Sequence, residues 1–147
     1  MAIKTSTGLR SSLLSTGSLR SVLNLGFINI YSGDVPASAD DALGSATLLV
    51  TISNASTATG LTLEATAAAG VIAKEPSEVW SGVNGASGVA SFYRHVAPGD
   101  DGLASDTQAR IQGTAAVFGG DMNLTSTTLT SGATQTIDFY TLSLPTA

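Results

Sequence analysis

Cysteine is absent from the 147 residues. That excludes disulfide frameworks, thiolate zinc sites, iron–sulfur clusters, cysteine nucleophiles and thiol redox switches. Aromatic residues make up 5% of the chain and charged residues 12%, and there is a single histidine. No run approaches the ~18 uninterrupted apolar residues of a membrane span. A broad basic footprint is missing too. Six Lys and Arg stand against eleven Asp and Glu, for a net charge of −5 and a pI near 4.4. Neither nucleic acid nor a membrane is therefore an expected partner. Low charge implies disorder only where hydrophobicity is also low, and the mean hydropathy of +0.28 supports a folded core. The length suits one such core.

What charge there is falls unevenly. Residues 1–23 hold Lys4, Arg10 and Arg20 and no carboxylate, a local charge of +3. The remainder holds all eleven acids against Lys74, Arg94 and Arg110, giving −8. Leu9, Leu13, Leu19 and Leu23 form i, i+4 pairs, with Leu14 and Val22 alongside. Thr16-Gly17-Ser18 interrupts them, and Ser18 is placed to cap a second short turn. The expectation is a cationic, partly helical N-terminal arm over 1–23 ahead of a β domain over 24–147, the alternative being a segment packed on its own domain. Ser, Thr, Gly and Arg break up the first residues, which read poorly as a secretory signal. Their Ser-rich, acid-free composition is shared with transit peptides.

From Gly26 the pattern becomes strand-like. Gly26–Ser32 alternates Phe27, Asn29 and Tyr31 with Ile28 and Ile30, and Ala46–Ser53 is a β-rich apolar run. Further strands are expected at Leu61–Ala65, Gly70–Ala73, Val79–Val83, Val89–Val96, Arg110–Phe118, Met122–Leu129 and Gln135–Leu144. In Val89–Val96, Phe92, Arg94 and Val96 share one face. Turn pairs such as Pro98-Gly99, Asp101-Gly102, Gly119-Gly120 and Ser131-Gly132 punctuate the series. About eight or nine short strands at this spacing predict an all-β, antiparallel β-sandwich or jelly-roll-like domain.

Catalytic constellations are thin. A Ser-His-Asp triad would have to centre on His95, and no G-x-S-x-G elbow presents a serine. The bland alternative is a solvated or hydrogen-bonded strand residue. Asp100, Asp101 and Asp106 lie close enough together for calcium, but the EF-hand pattern fails and a solvated acidic loop competes. Asp40-Asp41 is a weaker version of the same signal. Gly82, Gly85 and Gly88 fit a turn region rather than a phosphate loop. Trp80 suits either the core or a partner contact. The reading is not an enzyme, with no cofactor, no metal and no small-molecule substrate.

Four stretches bear on family. INIYSGDVPASADDALGSATLLVTI (28–52), SGVASFYR (87–94), RIQGTAAVFGGDMNL (110–124) and the terminal TSGATQTIDFYTLSLP together resemble small β-rich virion structural proteins of tailed bacteriophages. The resemblance spans residues 26–145 and rests on turns and strand starts. It implies a capsid decoration (cement) protein on the outer surface of the head, made in the host cytoplasm and bound to the major capsid protein. By analogy it also implies a homotrimer, with copies meeting around Phe27, Tyr31 or the arm leucines. Lys4, Arg10, Leu13, Leu14, Arg20 and Leu23 are the partner-binding candidates. The alternative is a tail, baseplate or head-fibre module whose loops Gly85–Gly88 and Pro98–Asp106 recognise a host surface.

Overall fold

Ile28 and Ile30 are fully buried while Asn29 between them reaches the surface, the period-two pattern that makes a strand line a core with one face. The computed structural model describes residues 3–144. Met1, Ala2 and residues 145–147, which the arm and closing-strand expectations touch, lie outside that range. The elements run β1 (Lys4–Thr5), α1 (Thr7–Ser15), α2 (Leu19–Leu23), β2 (Phe27–Ser32), β3 (Thr47–Asn54), β4 (Val71–Ala73) and β5 (Trp80–Val83). They continue as β6 (Gly88–Val89), β7 (Phe92–Val96), β8 (Arg110–Ala116), β9 (Met122–Asn123), β10 (Thr128–Leu129), β11 (Thr134–Ile137) and β12 (Thr141–Ser143). The domain is all-β and sandwich-like, its strands antiparallel except where β9 runs parallel to β8. No helix among the described residues is long and apolar enough to cross a membrane.

The main sheet has the order β1-β8-β7-β2-β3-β5-β11, with β9 beside the far half of β8. Direct cross-strand partners define its inner face: Ile52, Ile28, His95 and Ile111 form one row, and Val50, Ile30, Tyr93 and Gly113 the next. Two small sheets, β10-β6 and β12-β4, add Leu129, Ile72 and Leu142 to the same core.

The N-terminal segment is built into this domain. β1 pairs with β8, and Leu9 and Leu23 are fully buried in the core. Ser6 caps α1 by accepting from the Leu9 amide at 3.1 Å. The same buried hydroxyl accepts from the Arg110 amide at 2.8 Å and donates to the Gln108 carbonyl at 2.8 Å. Gly8 lets α1 press this close, since a Cβ there would lie 2.3 Å from the Thr107 carbonyl oxygen. Ser18 caps α2 as expected, in a reciprocal capping box with Ser21.

Several strand expectations need redrawing. Leu61–Ala65 makes only isolated bridges, at Leu61 and Leu63. Val89–Val96 breaks at Ala90-Ser91, and Met122–Leu129 divides into β9 and β10. Gln135–Leu144 divides into β11 and β12, because residues 138–140 leave the ladder. The Gly82-Gly85-Gly88 turn region is also corrected: none of the three has positive φ, and Gly82 lies within β5. There the missing side chain matters because a Cβ would sit 2.3 Å from the Thr51 carbonyl oxygen of β3.

Candidate functional site

The outer face of β7 and β8 carries Phe92, Arg94 and Val96 beside Arg110 and Gln112, all buried. Two loops, 33–46 and 97–109, lie over it. Arg110 donates through Nε to Asp100 Oδ2 at 2.6 Å and through Nη2 to Asp100 Oδ1 at 3.1 Å. Its other contacts are the Leu103 and Ala39 carbonyls and the Gln108 side chain. Arg94 donates to Gln112 Oε1 at 2.9 Å and to the Asp41 and Ser38 carbonyls at 2.8 and 3.3 Å. Gln112 in turn donates to the Pro36 carbonyl at 2.8 Å. Burial, with Arg110 nearby, pushes the Arg94 guanidinium below its ordinary pKa. Two of the chain's six cations are thus spent inside, stapling loops to the sheet.

This layer engages Asp100 and Asp101 of the acidic loop, while Asp106 is exposed. Asp100 is the partner of Arg110, and Asp101 accepts from the Leu103 amide and the Gln108 side chain. Asp40 accepts from the Thr7 amide and hydroxyl, and those bonds hold its carboxyl below the usual range. Among the described residues no three His, Asp or Glu side chains converge as a metal site.

His95 faces the opposite side of β7, in the core. Its Nδ1 is 2.9 Å from the Tyr140 hydroxyl, and Trp80 and Tyr140 pack on its ring at 6.5 and 5.4 Å between centroids. Among the described residues Nε2 has no partner. Burial lowers the imidazole pKa to about 4, so the ring is neutral at physiological pH. The solvated form of the strand-residue reading is therefore corrected: His95 is hydrogen-bonded but fully enclosed. Trp80 is core as well, donating to Glu78 Oε2 at 2.8 Å.

The partner-binding candidates separate by position. Arg10 and Leu14, one turn apart on α1, are exposed, Leu14 at 90%. Leu13 is half-buried against the core. Lys4 Nζ donates to the Ala37 carbonyl and Arg20 Nε to the Glu64 carbonyl, tying both to their own domain. Leu23 is corrected as a contact residue, since it has no exposed surface. Tyr31 is likewise covered, stacked on Phe92 at 4.9 Å. Phe27 remains half-buried, lining a shallow apolar groove of about 480 Å³ with Leu48 and Val83.

Two residues that the sequence reading passed over are the most exposed aromatics. Phe118, in the turn between β8 and β9, and Phe139, in the break between β11 and β12, are each 93% exposed. Phe139 stands at a groove of about 530 Å³ lined by Ile3 and Met122–Thr125 on one side and Gln135–Thr141 on the other. The available signal was a phenylalanine next to Gly119-Gly120, and another following Asp138 where alternation slips phase. Comparison with protein families, with curated proteins and with solved structures gives no match to this chain.

Proposed function

We propose that the chain is a virion structural protein, a capsid decoration protein that binds the outer surface of an assembled head and ties neighbouring capsomers. The observation that carries this reading is the outward placement of Phe118 and Phe139. The chain has four phenylalanines, and two of them are 93% exposed although the core is otherwise well supplied with apolar side chains. Covering each on a partner is worth roughly 1.5–3 kcal/mol, an investment that suits adhesion. Arg10 and Leu14 on α1 extend the exposed contact set. The four sequence stretches that resemble phage virion proteins supply the partner, the major capsid protein, and the analogy supplies the homotrimer.

The test adds purified protein to heads that lack it and counts bound copies by quantitative mass spectrometry. Decoration predicts hundreds of copies per particle. The double variant Phe118→Ser, Phe139→Ser should bind at least about a hundredfold more weakly, since two losses of about 1.5 kcal/mol or more add to about 3 kcal/mol, with an unchanged melting curve. No binding to heads, or a handful of copies at the tail, would overturn the reading.

A further inference from the structure

The strand order leaves the main sheet with two unpaired ends that face each other. At one end β11 pairs with β5 alone. At the other, β1 and β9 lie along one edge of β8 and, among the described residues, pair with nothing else. The groove beside Phe139 is lined from both ends, by Ile3 and Met122–Thr125 and by Gln135–Ile137. It is therefore a seam between strand edges, and its floor reaches Tyr93 and Tyr140 of the core. An unpaired edge presents amide and carbonyl groups at strand spacing, ready to receive another extended chain.

Charge decides which chain. Among the described residues the charged side chains lining the seam are Asp121, whose Oδ2 also accepts from the Thr114 amide and hydroxyl, and the exposed Asp138; neither forms a salt bridge. Lys4, next to Ile3, is committed to the Ala37 carbonyl. A second copy of this chain is at −5 overall, and its one basic stretch, residues 1–23, is folded into its own domain through β1, Leu9 and Leu23. The geometry points to an extended segment of a different polypeptide, alternating basic and apolar side chains, that adds as a strand in the seam between β9 and β11. Its apolar side chains meet Met122, Ile137 and Phe139, and its cations meet the two aspartates. The inference rests on the strand order and the seam's charge, and holds whether or not the partner is a capsid subunit.

The probe is a blocked octapeptide alternating lysine with valine, longer than the ~13 Å that four residues of β11 span at ~3.3 Å each. Its controls are the glutamate-for-lysine counterpart and a version N-methylated at alternate residues. Titration of the full chain, followed by amide NMR shifts, should show shifts confined to Ile3, Tyr93, 121–125 and 134–141. The glutamate and N-methylated peptides should bind at least about tenfold more weakly, and affinity should fall as salt rises. The Asp138→Lys variant, with an unchanged spectrum elsewhere, should lose affinity for the lysine peptide to a similar extent. Equal binding of both charge types, shifts outside the seam, or no binding at millimolar peptide would overturn the proposal. Sedimentation as a dimer with shifts on β11 would overturn it as well, by making a second copy the occupant. Failure on heads with success here, or the reverse, separates this inference from the decoration reading.

Discussion

Arg110 and Asp100 meet side by side, two hydrogen bonds joining guanidinium to carboxylate, with side-chain exposures of 0% and 4%. The pair holds the 97–109 loop onto the outer face of β8. Removing one partner strands a charge where water does not reach, which costs about 3–5 kcal/mol. Asp100→Ala should therefore lower the unfolding free energy by that order in urea titrations. Exposed Asp101, 3.9 Å from Arg110 Nη2, is no substitute, so Asp101→Ala should leave stability nearly unchanged. Similar losses for the two variants would show that the pair is not the anchor.

The same layer shows where the sequence could be read and where it could not. β2 and β3 stood out because β2 alternates and β3 is a β-rich apolar run. The shared face of Phe92, Arg94 and Val96 was also visible. What covers it was not visible, because loops 33–46 and 97–109 are fixed by side-chain-to-carbonyl bonds that leave no periodic trace. β1 is two residues long and exists only through its pairing with β8. Phe139 escaped for a related reason. Ile137, Tyr140 and Leu142 are all buried, so the alternation slips between β11 and β12 and leaves Phe139 outside.

His95 gives the domain a defined response to acid. Its pKa is held to about 4 by burial, against an ordinary 6.5. A histidine kept neutral in this way contributes fully above pH 6.5. Its contribution is lost as pH falls from 6.5 through the folded value, by up to ~1.4 kcal/mol per pH unit. Over that window the loss is about 3 kcal/mol. Carboxylates titrate at the lower end, so the informative quantity is the difference from a His95→Gln variant. Urea unfolding at pH 7, 6 and 5 should show the wild type losing stability faster than the variant below pH 6.5. Parallel curves would mean that the imidazole is not kept neutral by the fold.

Gly82 and Gly85, three residues apart, should respond oppositely to the same change. A methyl group at Gly82 would press on the Thr51 carbonyl oxygen at 2.3 Å and on Val50 Cγ2 at 2.7 Å. Relief requires β5 to move away from β3, at a cost of the order of 1–3 kcal/mol. At Gly85 an added Cβ meets nothing within 4 Å, and φ is not positive. Gly82→Ala should lower the melting temperature by several degrees, while Gly85→Ala should hold or slightly raise it. A tolerated Gly82→Ala would mean that β5 and β3 pack less tightly than their register implies.

The first 23 residues should be inseparable from the fold. Leu9 and Leu23 are fully buried in the core, β1 completes one edge of β8, and the Ser6 hydroxyl serves three backbone groups at once. Ser6→Ala leaves those groups short of a partner and should cost about 1–3 kcal/mol. Deleting residues 1–23 removes both leucines, each worth about 2–5 kcal/mol when lost from a core. That sum is comparable with the whole stability of a small domain, about 5–15 kcal/mol. The truncated chain should therefore lose its cooperative melting transition, and amide hydrogen exchange along β8 should accelerate. A truncated protein that melts cooperatively near the wild-type temperature would instead mark residues 1–23 as a detachable arm, and the charge on Lys4, Arg10 and Arg20 would then be free for a partner.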